Sequence, residues 1–167
     1  VLLVTSSMKG EGKTFFSINL ATTLGMQNKK VVIIEFDLRR PTLLKKLNLQ
    51  SDVGITDYLN NDHLSIDEII QPSLLADNVT VIGCGQIPNN PAEEMMNPKI
   101  NALIDELRER YDYIIIDTSP VGQVADAFSL AQYADVSIYL VRYNYTNNYQ
   151  LAILKDINDE NKLKNLM

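Results

Sequence analysis

Gly10, Gly12, Lys13 and Thr14, in the stretch VLLVTSSMKGEGKT, have the types and spacing to hold a polyphosphate. Glycines let backbone N–H groups turn onto phosphate oxygens, and a helix opening at the end of such a loop adds unpaired donors and the positive end of its dipole. Lys13 then reaches between β- and γ-phosphates as a point charge, and the Thr14 hydroxyl is placed to ligate Mg²⁺. The usual pattern is G-x-x-x-x-G-K-[ST], and Ser7 stands where its first glycine would be. Lys9, Gly10, Glu11, Gly12, Lys13, Thr14 and Phe15 are accordingly the candidate nucleotide contacts.

Carboxylates gather at two other places. Glu35 and Asp37 stand two apart at the end of VVIIEF, followed by Arg39, Arg40 and Pro41, and Asp117 ends the run YIIID. Acids beside a triphosphate require a cation between them, and an aspartate at a strand end beside a phosphate loop is the arrangement that holds Mg²⁺ through its water shell. Thr118, Ser119 and Pro120 open a loop placed to sense a γ-phosphate. Arg39, Arg40, Lys45 and Lys46 form a local basic cluster, read either as steering for an anion or as a solvated helix face.

These residues need elements to position them. Val1 to Val4 reads as a buried parallel strand ending at Thr5, and Phe16, Ile18, Leu20, Ala21 and Leu24 give the helical period of the segment after the loop. Val31 to Phe36, Val79 to Ile82, the isoleucine run before Asp117, and Val136 to Val141 read as further strands. In an open parallel sheet, ligands collect at the carboxyl ends of the strands, which would gather the loop and the acids on one side. Short helices are expected after Pro41, over 54–59, over Ile66, Ile69 and Ile70, from Pro91, over Ile100 to Leu107, and from Asp126 to Tyr133, with a closing helical region from Asn148 to Leu166. Met95 and Met96 are expected to pack, His63 to be an exposed loop residue, and Tyr139, Tyr143, Tyr145 and Tyr149 to be packing or surface residues.

Composition narrows the class. With 167 residues, 46% of them hydrophobic and 22% charged, the chain is long enough for one well-buried core. A net charge of −6 argues against general nucleic-acid binding, which needs a basic surface. Cys84 is the only cysteine, so no internal disulfide forms, and a small buried apolar role is expected for it. No apolar run approaches the roughly 18 residues of a membrane span. Val1 already lies inside a strand and the last helical pattern stops without a closing strand. The expectation is a single domain, 1–167, cut from a longer protein at both ends.

Together, SSMKGEGKT at 6–14, VVIIEFDLRRP at 31–41 and YIIIDTSP at 113–120 resemble the three nucleotide motifs of the bacterial tyrosine kinases, whose cytoplasmic domains govern capsular and exopolysaccharide export. GITDYL at 54–59, PNNPAEEM at 88–95 and LRERYDY at 107–113 resemble the linking segments, so the likeness covers nearly the whole chain. It implies a P-loop NTPase of the α/β class, a doubly wound, mostly parallel sheet flanked by helices. Mg-ATP is implied as cofactor, with tyrosine phosphorylation between subunits of a homo-oligomeric ring. By position, Lys13 would stabilise the transferring phosphoryl group, while Thr14, Asp37 and Asp117 would organise Mg²⁺. The family's first acid in the second motif is an aspartate proposed to help activate the tyrosine hydroxyl; here that position is Glu35, one methylene longer. The resemblance further implies a tyrosine-containing tail of a neighbouring subunit as substrate and a transmembrane co-polymerase or activator region as partner. The domain would be cytoplasmic and tethered to the inner membrane through a region before Val1.

Two other readings remain. The septum-site and plasmid-partition ATPases share the second and third motifs, but carry a signature lysine where this chain has Met8. A non-catalytic nucleotide-sensing module regulating polysaccharide assembly is the third, with Glu35 as its motive.

Overall fold

VVIIEF at 31–36 is buried at every position, because a strand covered on both faces has no side on which a polar residue gains by exposure. The computed structural model describes residues 1–167. Its six strands are β1 (Leu2–Ser6), β2 (Val31–Phe36), β3 (Ile70–Pro72), β4 (Val79–Ile82), β5 (Tyr113–Thr118) and β6 (Val136–Leu140). They lie in the order β3-β4-β2-β5-β1-β6, all parallel except β3, which runs antiparallel to β4 at one edge. The helices are α1 (Lys13–Met26), α2 (Leu43–Lys46), α3 (Ile55–Asn60), α4 (Ile66–Ile69), α5 (Pro91–Glu94), α6 (Lys99–Arg110), α7 (Asp126–Leu130) and α8 (Asn148–Asp159). No helix is long and apolar enough to cross a membrane.

The two-residue period of the strands sorts the core into two layers. Leu3, Val32, Ile34, Phe36, Ile114 and Ile116 face a large cluster that includes α3, α6 and α7 residues. Val4, Val31, Ile33 and Ile115 face a smaller one that includes Ala21 of α1. The same alternation carries Glu35 and Asp117 to the α1 side. Asp117 is in register with Glu35 on one neighbouring strand and with Val4 on the other. The doubly wound, mostly parallel architecture expected from the resemblance is the one observed.

β1 runs one residue further than expected, to Ser6, and β6 stops one short, at Leu140; three other boundaries differ too. Ile70 leaves the helix and opens β3, where Pro72 is tolerated because an edge strand needs no donor on its outer side. The helix from Asp126 ends at Leu130 and continues as a 3₁₀ turn, Ala131–Tyr133. The closing helix stops at Asp159: Asn161 takes a left-handed φ of 49°, and the Lys162 N–H returns to the Ile157 carbonyl at 3.1 Å. The chain then runs beside β6, with Ser137 N–H donating to the Lys164 carbonyl and Tyr139 N–H to that of Met167, both at 2.9 Å. Met95 is buried as expected, whereas Met96, also expected to pack, is 78% exposed.

The glycine of GITDYL is there for proximity. A Cβ on Gly54 would sit 2.3 Å from the Gly85 nitrogen and 2.4 Å from the Gly83 oxygen, backbone atoms that cannot swing aside. Gly54→Ala is therefore expected to destabilise the chain by about 2–4 kcal/mol. Urea denaturation checks this, the midpoint falling with the slope unchanged.

Candidate functional site

Left-handed backbone shapes the phosphate loop. Gly10 (φ 88°) and Gly12 (φ 105°) adopt conformations that favour glycine, and they carry the chain from β1 round to α1. The Phe16 N–H makes the first helical bond to the Gly12 carbonyl at 2.8 Å, so the N–H groups of Lys13, Thr14 and Phe15 stand unpaired at the helix start. Lys13 is only 7% exposed, and its ammonium donates to Ser6 Oγ at 3.2 Å.

Above this loop opens a cavity of about 420 Å³. Lys9, Gly10, Gly12, Lys13 and Thr14 form its base, the segment after β2 supplies Asp37, Arg39, Arg40, Thr42 and Lys46, and the segment after β5 supplies Ser119, Pro120, Gln123 and Val124. Five cationic side chains and one carboxylate thus line a cavity in a chain of net charge −6, a local field that favours a polyanion. Arg39 and Arg40 belong to it, and so does Lys46, whereas Lys45 lies outside. Two ties span the walls. Ser119 Oγ donates to Asp37 Oδ1 at 2.9 Å, and Arg39 pairs in bidentate fashion with the buried Asp126, Nε to Oδ2 at 3.0 Å and Nη2 to Oδ1 at 3.3 Å.

The charges beneath the cavity are strongly coupled. Burial pulls the Lys13 ammonium below its ordinary value, opposed by the carboxylates of Asp117, Asp37 and Glu11. Burial also pushes Asp117 up to about 7, with the Thr14 hydroxyl and Lys13 holding it down in part and Glu35 and Asp37 raising it further. Ser17 Oγ donates to Asp117 Oδ1 at 3.4 Å. The structure therefore brings Lys13, Thr14, Asp37 and Asp117 together, Asp37 on the cavity wall and Asp117 just below.

Three sequence-derived candidates take other places. Glu35 is buried, and its Oε1 accepts the backbone N–H groups of Thr42 and Leu43, the latter at 2.6 Å, at the start of α2. Burial raises its carboxyl, and those backbone donors oppose the rise. It does not line the cavity, and what its carboxylate holds in the ligand-free chain is the start of α2. Glu11 is also turned away: its carboxylate accepts Met8 N–H at 2.7 Å and Ser7 Oγ at 3.2 Å and bonds the Thr146 hydroxyl. The Phe15 ring is 68% exposed and absent from the cavity wall, so only its backbone N–H remains available to a ligand. Sequence reading missed Gln123, Val124, the Arg39–Asp126 pair and the loop 142–146 against the phosphate loop, all brought in by contacts across long stretches of chain.

A family model described as an AAA domain matches residues 2–165. The chain is 37% identical over 142 residues to the tyrosine-protein kinase ptk of Acinetobacter johnsonii, covering 85% of this chain and 19% of that protein. It therefore spans about a fifth of that relative's length. The solved VpsO kinase domain superposes with a TM-score of 0.89 at 30% identity, covering 99% of this chain and 81% of the other. The septum site-determining protein of Pyrococcus horikoshii, complexed with Mg-ADP, reaches a TM-score of 0.77 at 22% identity over 99% of this chain and 66% of its own, a likeness of fold alone.

Asp117 makes stability depend on pH. Between 3.8 and about 7 the folded chain keeps a proton that the unfolded chain has released, so stability falls as pH rises through that window, by at most about 4 kcal/mol. Asp117→Asn is expected to flatten the slope and raise the ligand-free melting temperature at pH 8 by about 5 °C, read by thermal melts across pH.

Proposed function

The chain belongs to the AAA domain family, among the bacterial tyrosine kinases, and from that premise we propose that it transfers the γ-phosphoryl group of ATP to tyrosine hydroxyls of protein substrates. One observation carries this reading: a single cationic cavity is built from the phosphate loop and the ends of β2 and β5, with Lys13 and Asp37 on its wall and Asp117 beneath. The donor set fits Mg²⁺. Thr14 offers a hydroxyl and Asp37 and Asp117 offer carboxylates, all hard oxygens. No group of three or more His, Cys, Asp or Glu side chains forms a cage by itself. A cation held by one or two carboxylates, waters and substrate phosphates needs no such cage.

In this reading the backbone N–H groups at the start of α1 and the Lys13 ammonium hold the β- and γ-phosphates and stabilise charge on the transferring group. Thr14, Asp37 and Asp117 would hold the magnesium ion, whose chemistry is to neutralise charge on the phosphates. The tyrosine oxygen bonds to the γ-phosphorus as the bond to the bridging oxygen breaks, and ADP leaves. Asp37 is the residue assigned to receive the hydroxyl proton, since its Oδ1 is taken by Ser119 and Arg40 N–H while Oδ2 has no protein partner. Glu35 supports the wall that carries Thr42 and Lys46. The wider context is part of the proposal: residues 1–167 as a single kinase domain of a longer, membrane-tethered protein, active as a homo-oligomer on the tyrosine-containing tail of a neighbour. Its transmembrane activator region would link this activity to capsular or exopolysaccharide synthesis.

Incubation with Mg-ATP and a tyrosine-rich peptide tests the reading. Phosphotyrosine is expected, and Lys13→Ala should lower its formation by about 100-fold or more. Asp37→Asn should cost on the order of 100-fold, whereas Glu35→Gln, which keeps an acceptor for the α2 amides, should stay within about 3-fold. Phosphate release without phosphotyrosine would instead mark a septum-type ATPase, and nucleotide binding with neither product a sensing module.

A further inference from the structure

The phosphate loop is held from outside by a part of the chain more than 130 residues away. Arg142 Nη1 donates to the Gly10 carbonyl at 2.8 Å. Tyr145 Oη donates to the Lys9 carbonyl at 2.9 Å. The Thr146 hydroxyl bonds the Glu11 carboxylate, which also accepts Met8 N–H. The outer loop is itself a closed turn: Arg142 N–H donates to Thr146 Oγ1 at 2.9 Å, and the Arg142 carbonyl accepts from Tyr145 N–H at 3.1 Å and from Thr146 N–H at 2.9 Å. The Arg142 guanidinium lies 4.9 Å from the centre of the Tyr145 ring, so the two donors also fix each other.

We infer that Arg142 and Tyr145 are positioning residues that aim the amides of the phosphate loop at the phosphates of a bound nucleotide, by hydrogen-bonding the carbonyls on the far side of the same peptide planes. The inference rests on the reading that this cavity binds nucleotide phosphates. In a trans peptide the C=O of one residue and the N–H of the next point in opposite directions. Holding the Lys9 oxygen outward therefore turns the Gly10 N–H the other way, and holding the Gly10 oxygen does the same for the Glu11 N–H. Gly10 and Gly12 have the freedom to rotate these planes, and an anion arriving at an unbraced loop would have to order them at its own cost in affinity. The cation on the Gly10 carbonyl further polarises that peptide, which strengthens its N–H as a donor. Gly10 is needed twice: for its φ of 88°, and because a Cβ there would lie 2.6 Å from the Tyr145 hydroxyl.

Calorimetric titration of the parent chain and of Tyr145→Phe, Arg142→Met, Arg142→Lys and the Tyr145→Phe/Arg142→Met double variant decides the matter, with Mg-ADP and adenosine as probes. ADP is expected to bind about 5-fold more weakly to each of the first two, and at least about 10-fold more weakly to the double variant, in keeping with the modest net worth of single hydrogen bonds. Arg142→Lys, which keeps a cationic donor, should recover most of the loss. Adenosine, which has no phosphates, should bind all variants alike. Hydrogen exchange in ligand-free protein should quicken at residues 9–12 in Tyr145→Phe while the melting temperature stays put. The inference is overturned if the double variant binds ADP within about 2-fold of the parent, or if ADP and adenosine weaken together, since the outer loop then shapes the fold rather than the amides. A parent that binds adenosine but not ADP would identify the nucleotide-phosphate reading as what failed, and this inference would fall with it.

Discussion

Four charges that water would otherwise solvate share one face at the end of this sheet: the ammonium of Lys13 and the carboxylates of Glu35, Asp37 and Asp117. Burial works against the charged form of Lys13, Glu35 and Asp117. Asp37 raises Glu35, and both raise Asp117; backbone amides oppose the rise at Glu35, and the Thr14 hydroxyl and Lys13 oppose it at Asp117. The ligand-free chain therefore holds an unfavourable arrangement in place by the apolar packing on both faces of the strands. The favourable partner for such a site is a ligand that brings its own multiple negative charges to the lysine and a divalent cation to the acids. Burial makes that partner worth more, because the same low dielectric that penalises the isolated charges strengthens their attraction to it.

What separates the three carboxylates is not their type but what else reaches them. Glu35 and Asp117 stand side by side in register on adjacent strands, on the same face. The backbone of α2 arrives over the first and takes an oxygen with two amide donors, whereas the second keeps contact with α1 through Ser17 and Thr14. Asp37, just past the strand, emerges on the cavity wall with one oxygen tied to Ser119. The Glu35 side chain reaches the Thr42 and Leu43 amides beyond the following turn.

The fold and the base of the site were legible in the sequence for one physical reason: they depend on short-range pattern. A strand with no polar alternation, two glycines and a lysine before a helical period, and acids at the ends of apolar runs all place themselves through local geometry and the two-residue period. The boundaries that went astray were decided by partners. Ile70 has the spacing of a helix but lies where β4 offers an edge, and Leu166 has the spacing of α8 but runs beside β6. No local signal marks Tyr145 as a neighbour of Lys9 or Arg39 as a partner of Asp126, because those contacts exist only after the sheet has ordered the loops at its carboxyl end. Tyr145 reads as a surface residue by pattern and is in fact half exposed, with its hydroxyl on the Lys9 carbonyl and its ring beside the Arg142 guanidinium.

The same distinction explains how a cavity lined by long, flexible cations keeps a defined shape. Lys9, Arg40 and Lys46 have no carboxylate partner on the protein, and their charge is left for the ligand. Arg39, by contrast, is spent on Asp126, a carboxylate only 4% exposed, and so links the segment after β2 to α7. Ser119 on Asp37 makes a second link between the same two walls. Width is thus set by neutral and paired contacts between segments that leave β2 and β5, while field is set by the cations that stay unpaired. A chain that used Arg39 for binding and left Asp126 buried without a partner would lose more than a charge contact, because an uncompensated buried carboxylate costs several kcal/mol, of order 3–5 when its partner is removed.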